Sequence, residues 1–429
     1  MEIRPFRGWR YDTGVEADIS RLLAPPYDVL SPEDKESLLA GDSRNMVSVD
    51  LPHVPPKDVG PDAAYRAAAE KLEEWKASGV MRQDDEPSLY ACEQTFPWAG
   101  KTLTRRAIIC GVRAGELGRD VIPHEHTYDG PKADRLKLTE ATRMQISPIF
   151  GLYDDPDETV VEAVFSAVPA RPLLHGRLRE VTEKLWMITD AEAISAVTNE
   201  LRQVPVFIAD GHHRYGTAMK YANSLRWSGQ IDDDHEANFV MFSLVALNDP
   251  GLLIRPTHRI VSGMKKNFSV HELMRAAGEF TWQRCSVDDV NLDNTDAFLR
   301  RYGPGAMAFM DANPAEIWIA RLRDPAVMAA AAPDESEYWR RLDVAVLHKL
   351  IIDKAIGPWR REDLWIDYTP VSRAVLAACN SGRAQLGVLL QATPLADVQA
   401  IASAGGAMPH KSTYFYPKLA TGMVLKPLE

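Results

Sequence analysis

Val204-Pro-Val-Phe-Ile-Ala-Asp-Gly-His-His-Arg-Tyr-Gly-Thr-Ala218 runs from an apolar strand straight into Asp210-Gly211-His212-His213-Arg214 and then into a helix. Val206, Phe207 and Ile208 are β-prone, Gly211 permits a tight turn, and helix-forming sequence resumes over Thr217–Ala222. The opening turn of a helix presents unpaired N–H groups and a partial positive charge. An anion is therefore favoured there, more so with Arg214 alongside. Singly, each residue has an ordinary structural explanation: Asp210 as the helix N-cap, Gly211 as a turn, the histidines as hydrogen-bonding groups. Together, at the C-terminal end of a strand, they sit where open α/β sheets place their ligands.

Outward from this unit, strand-like and helix-like runs alternate along all 429 residues, which gives a mixed α/β (α+β) fold class. The length suggests two or three subdomains, with boundaries expected at 1–165, 166–265 and 266–429. Asp62–Gly79 is an amphipathic helix with Tyr65, Ala68, Ala69, Leu72 and Trp75 on one side. Ser88–Phe96 and Leu103–Arg113, separated by Pro97–Lys101, read as a β-hairpin, and Ser31 before Pro32 and Asp34 reads as a helix start. A single helix is expected over Glu337–Ile356.

The net charge of −11 repels polyanions and offers no general footprint for nucleic acid. Cys92, Cys110, Cys285 and Cys379 are scattered without a C-x-x-C pair and read as small buried hydrophobes in a reducing compartment. Structural zinc, haem and flavin are not expected. No window is apolar enough for a transmembrane helix and the N-terminus has no apolar signal core, so the expected location is the cytoplasm. A homo-oligomer is compatible with the sequence.

A second polar concentration is Ile122-Pro-His-Glu-His-Thr-Tyr-Asp-Gly-Pro-Lys-Ala-Asp-Arg-Leu136. In an extended segment His124 and His126 point to one side and suit a shared ion or a substrate, while Glu125 points away. Glu125 is a candidate proton-transfer group; solvated loop residues are the plain alternative. Lys132 and Arg135, near the start of the next helix, suit phosphate or a solvated face. Gly405-Gly-Ala-Met-Pro-His-Lys-Ser-Thr413 looks superficially like a phosphate loop, but His410 replaces the second glycine and Tyr414-Phe-Tyr416 is β-like, so that assignment is rejected. Lys411 and Ser412 still suit an anionic ligand or a polar turn. Asp28, in the rigid turn Pro25-Pro-Tyr-Asp-Val29, suits substrate contact or capping.

Ala24-Pro-Pro-Tyr-Asp-Val-Leu-Ser31, Pro123-His-Glu-His-Thr127 with Pro131–Leu136, Ser147–Tyr153, Asp210–Tyr215 and Lys411–Lys418 together resemble the bacterial and archaeal family catalogued as domain of unknown function 1015. That resemblance spans nearly the whole chain and implies architecture without a settled activity. Asp210–Arg214 alone also resembles the phosphate-binding motif of the ParB/sulfiredoxin superfamily, which includes free-serine kinases. This implies a small nucleotide-binding core embedded in a larger α/β protein. It further implies that Gly211, His212, His213 and Arg214 bind nucleotide phosphates, and that Asp210 orients the loop or Mg²⁺. Sulfiredoxin chemistry is disfavoured because His212 stands where the reactive cysteine would be. DNA partitioning is disfavoured because no basic helix-turn-helix stands out.

The expected function is a phosphotransferase that uses ATP or ADP with Mg²⁺ on a small hydroxyl-bearing metabolite, with a hydroxy amino acid as one candidate class. Glu125, Asp210 and His213 are its candidate catalytic residues, and Asp210 its metal contact. Two alternatives stand beside it: a metal-dependent hydrolase using His124, His126, Asp210 and His212 or His213, and a non-catalytic nucleotide sensor.

Overall fold

The computed structural model describes residues 1–12, 14, 17–55, 58–312 and 316–429. The chain forms two compact units, Met1–Leu252 with Pro417–Glu429, and Leu253–Tyr416. The fold is mixed α/β, with a core in each unit.

The first unit is built on a nine-stranded sheet. Its strands are β1 (Ile3–Arg4), β2 (Leu89–Trp98), β3 (Lys101–Arg113), β4 (Val121–Ile122), β5 (Ile149–Tyr153), β6 (Leu174–Leu178), β7 (Val181–Ile188), β8 (Val206–Asp210) and β9 (Phe239–Ala246). They lie in the order β4-β8-β5-β9-β3-β2-β7-β6, with β1 also on β3. The β8–β4 and β9–β5 pairs are parallel; the rest are antiparallel. Strands on both sides of residue 165 thus pair within one sheet, and the division into units falls at 252 instead. The expected boundary at 165 marked a local turn, not a gap in the hydrogen-bonded ladder.

The β2–β3 hairpin closes more tightly than expected. Trp98 pairs with Lys101, leaving Ala99 and Gly100 as a two-residue turn, both at positive φ. Pro97 is tolerated inside β2 because β7 pairs with β2 only as far as Thr95, so no neighbour there needs its missing N–H. The Asp62–Ala77 helix buries Tyr65, Ala68, Leu72 and Trp75, as its periodicity predicts. Ser31 caps the Pro32–Gly41 helix with a reciprocal Ser31–Asp34 box. All four cysteines are buried and unbridged.

The second unit holds a six-stranded antiparallel sheet ordered Phe280–Ser286, Glu316–Leu322, Met307–Met310, Leu386–Leu389, His258–Ser262, Trp365–Thr369. The single helix expected over 337–356 is instead Glu337–Arg340, Asp343–Val346 and a π-helical Leu347–Ala355. Leu342 adopts extended backbone at the first break and thereby restarts the chain at Asp343. Apolar periodicity alone does not reveal such a break. Among the described residues, no helix is long and apolar enough to cross a membrane.

Candidate functional site

The site forms where β8 ends. Its register against β5 shifts between Ile208, opposite Gly151, and Asp210, opposite Phe150. Such a bulge re-aims the side chain that follows it. Gly211 then takes φ +101°, and a Cβ there would stand 3.0 Å from the Arg214 guanidinium, so glycine is required by backbone and space alike. The helix His212–Trp227 begins at once with Gly211 as its N-cap. Asp210 is therefore not the cap. Its carboxylate accepts a hydrogen bond from Lys418 Nζ and lies 3.8 Å from Arg214 Nη2. Arg214 is fixed from the other side by the Pro148 carbonyl at 2.5 Å and Ser147 Oγ at 3.3 Å.

Lys418 and Ser147 are the site residues that sequence reasoning left unassigned. The only signal for Lys418 is its place in the run Lys411–Lys418; its pairing with Asp210 spans 208 positions. At Pro417 the chain rejoins the first unit.

The His124–His126 loop lies against the same helix start. His124 is buried and meets His212 edge-on at 4.7 Å between ring centroids, and its backbone N–H donates to His212 Nε2 at 3.2 Å. His212 must therefore carry its proton on Nδ1, which faces the Glu125 carboxylate at 3.7 Å. Burial lowers His124 to about 4, against a backbone hydrogen bond to Ile208, and drives His212 well below the usual imidazole range. Both rings are neutral at pH 7. Glu125 and Asp210–Arg214, 85 positions apart, thus belong to one site.

Two expectations change here. His124 and His126 do not share a side: the chain bends at Glu125, leaving His124 buried and His126 exposed. His212 is buried with Nε2 occupied by the His124 N–H, so that nitrogen is not open to a phosphate. His213 accepts the Tyr128 N–H at 3.1 Å and stacks on the Tyr128 ring.

Lys132 pairs with Asp129 at 3.1 Å and lays its stem against Gly216, two residues beyond Arg214. Arg135 is not exposed to phosphate. It is buried, donating to Asp134 Oδ2 at 2.7 Å and to the Asp50 carbonyl at 2.6 Å, with its guanidinium 4.0 Å from the Tyr27 ring centroid. Its Nη2 also approaches Asp134 Oδ2 at 2.7 Å, at an angle too poor for a hydrogen bond. Burial raises the Asp50 carboxyl above its usual range; Arg135 and Arg214 oppose this and Asp28 adds to it. Through Tyr27, whose ring covers the Arg135 guanidinium, the Pro25–Val29 turn packs beside Arg135. Lys411 and Ser412 belong to the second unit: the Lys411 carbonyl accepts from Arg259, and Ser412 is buried with its Oγ donating to the Pro409 carbonyl and its own carbonyl accepting from Thr393.

Among the described residues, no group of three or more His, Cys, Asp or Glu side chains could hold a metal ion. His212 Nε2 accepts the His124 N–H, and the Asp210 oxygens face Lys418 and Arg214. The cluster can instead hold an anion beside Arg214 and Lys418: these two cations face the Asp210 carboxylate, Glu125 adds a second carboxylate to the site, and the helix start contributes roughly half a positive charge.

No curated protein matches the chain. Among solved structures it is similar to a free serine kinase in complex with AMP, at 11% identity over 69% of this chain and 83% of that one, with a TM-score of 0.32. It is also similar to SbnI with C-terminal truncation from Staphylococcus aureus, at 10% identity over 75% and 87%, with a TM-score of 0.36. A conserved hypothetical protein from Pyrococcus furiosus aligns at 11% identity over 72% and 92%, with a TM-score of 0.32. The model of one family, described as "Protein of unknown function (DUF1015)", matches residues 3–345, a range that includes Asp28, Glu125 and the whole Asp210–Arg214 motif, and the chain belongs to that family.

Proposed function

We propose that the first unit is a nucleotide-dependent phosphotransferase acting on a small hydroxyl-bearing metabolite, with hydroxy amino acids the first class to test. One observation carries the reading: Arg214 and Lys418 converge on Asp210 at the opening turn of a helix, and Glu125 stands beside the same turn, 3.7 Å from His212. The resemblance of Asp210–Arg214 to a phosphate-binding motif supports it. In this reading the phosphates of ATP or ADP take the first-turn N–H groups and share Arg214 and Lys418 with Asp210. The acceptor oxygen forms its bond to the terminal phosphorus as the bond to the bridging oxygen breaks, and Glu125 takes the hydroxyl proton. Neutral His212, locked by the His124 N–H, holds Glu125 in place.

The donors around Asp210 do not fit a resident Mg²⁺, because its oxygens already face Lys418 and Arg214. No step is assigned to that ion, which would enter as the companion of the nucleotide. Calorimetry with ATP and ADP at millimolar concentration, followed by phosphorus NMR with a panel of hydroxy amino acids, tests the proposal. Saturable nucleotide binding is expected, and Glu125→Gln should cut transfer by about 10²- to 10⁴-fold while leaving nucleotide affinity unchanged. No binding of either nucleotide would sink the reading. Binding without transfer to any acceptor would leave a nucleotide sensor.

A further inference from the structure

A cavity of about 540 Å³ lies wholly within the second unit and is lined by Arg300, Arg321, Arg340 and Arg341. Arg300 pairs with Asp296 at 2.7 Å, and Arg341 pairs with Asp397. Among the described residues, Arg321 and Arg340 form no ion pair. Arg321 lies against Gly303, whose φ is +100° and where a Cβ would come within 3.1 Å of the guanidinium carbon. A larger residue at 303 would therefore displace it.

With Arg300 met by Asp296 and Arg341 by Asp397, the cavity keeps Arg321 and Arg340 as two cations against one further carboxylate, Asp343, an excess of one positive charge. Asp343 is no counterion: its oxygens accept the backbone N–H groups of Val344 and Gln391 at 2.7 and 2.9 Å. Gln391 in turn donates to the Gly303 and Ala306 carbonyls. The remaining wall is apolar, with Leu322, Pro325, Leu342 and Val346.

We propose that this cavity binds a phosphomonoester carried on an apolar body. A phosphomonoester holds about 1.5 to 2 negative charges at pH 7, which Arg321 and Arg340 can meet as a pair, and guanidinium forks grip its oxygens in pairs. The volume falls within the range of small-molecule pockets, roughly 300–1,000 Å³, so there is room for an organic body beside the phosphate. The inference does not depend on nucleotide binding in the first unit.

Phenyl phosphate is the probe, with benzoate and phenol as controls, titrated into the full chain by calorimetry. Wild type should bind phenyl phosphate saturably and bind benzoate and phenol weakly or not at all. Arg321→Ala with Arg340→Ala should weaken phenyl phosphate binding by about tenfold or more, whereas Arg214→Ala and Lys418→Ala leave it in place. Circular dichroism of the double variant checks that it is folded, and Arg340→Gln alone should give a smaller loss of the same sign. The proposal is overturned if wild type shows no saturable binding at about 10 mM, or if the arginine variants bind as wild type does. It is also overturned if binding is lost only with Arg214 or Lys418, or if benzoate binds as well as phenyl phosphate.

Discussion

Arg135 and Arg214 line the same small cavity beside Asp50, yet they are held in different ways. Arg135 is 6% exposed and is gripped by Asp134, the Asp50 backbone and the face of Tyr27. Burial alone would lower its pKa, but Asp50 and Asp134 hold it above the ordinary value. Arg214 is 14% exposed, bonded to a carbonyl and a hydroxyl, with its nearest carboxylate at 3.8 Å already shared with Lys418. An arginine whose charge is fully met by buried carboxylates serves the fold. One oriented by neutral dipoles keeps charge for a ligand.

The largest test of that contrast is truncation at each position. Arg135→Ala leaves Asp50 and Asp134 buried without their cation and should cost about 3–5 kcal/mol, read as a large fall in the denaturation midpoint. Arg214→Ala should change stability by only about 1 kcal/mol while weakening nucleotide binding by about tenfold or more. If Arg214→Ala unfolds the chain and Arg135→Ala does not, the two roles are reversed.

The histidines extend the contrast on a smaller scale. His124 and His212 are buried and neutral, with burial holding His124 near 4 and His212 well below the usual range. The unfolded chain takes up these protons below about pH 6.5, where the folded chain does not, so more protons are bound in the unfolded state between about pH 6.5 and 4. Stability should therefore be unaffected above pH 7 and fall on acidification, by about 1.4 kcal/mol per pH unit for each histidine in that window. Urea midpoints at pH 7, 6 and 5 measure this. His124→Gln should flatten the slope, and an unchanged slope would show that His124 titrates normally.

The sequence made one half of this comparison legible. Asp210–Arg214 stands out because a strand pattern, a glycine and a helix pattern meet there, all signals within fifteen residues. Nothing local marks Lys418 as the partner of Asp210, because that contact depends on the C-terminal return of the chain to the first unit. Arg135 read as a surface cation because its helix carries alternating charges. Its burial follows from Tyr27, Asp50 and the neighbouring helix, each supplied by a distant segment. The His124-x-His126 spacing was read with strand geometry, and the bend at Glu125 removed the premise.

The smallest expected effect separates charge from geometry. Lysine keeps the positive charge but replaces the planar fork with a single ammonium. In Arg214→Lys the ammonium can still face Asp210 and a phosphate, but it cannot also span the Pro148 carbonyl and Ser147 Oγ that now orient the side chain. Nucleotide affinity should therefore fall only about three- to tenfold, less than in Arg214→Ala, with stability close to wild type. Arg135→Lys should behave differently. One ammonium cannot satisfy Asp134 Oδ2 and the Asp50 carbonyl while covering Tyr27, so most of the loss seen with Arg135→Ala should persist. Calorimetry on the first variant and denaturation midpoints on the second decide the matter. Equal binding losses for Arg214→Lys and Arg214→Ala would make the fork, and not the charge, what a ligand reads at Arg214.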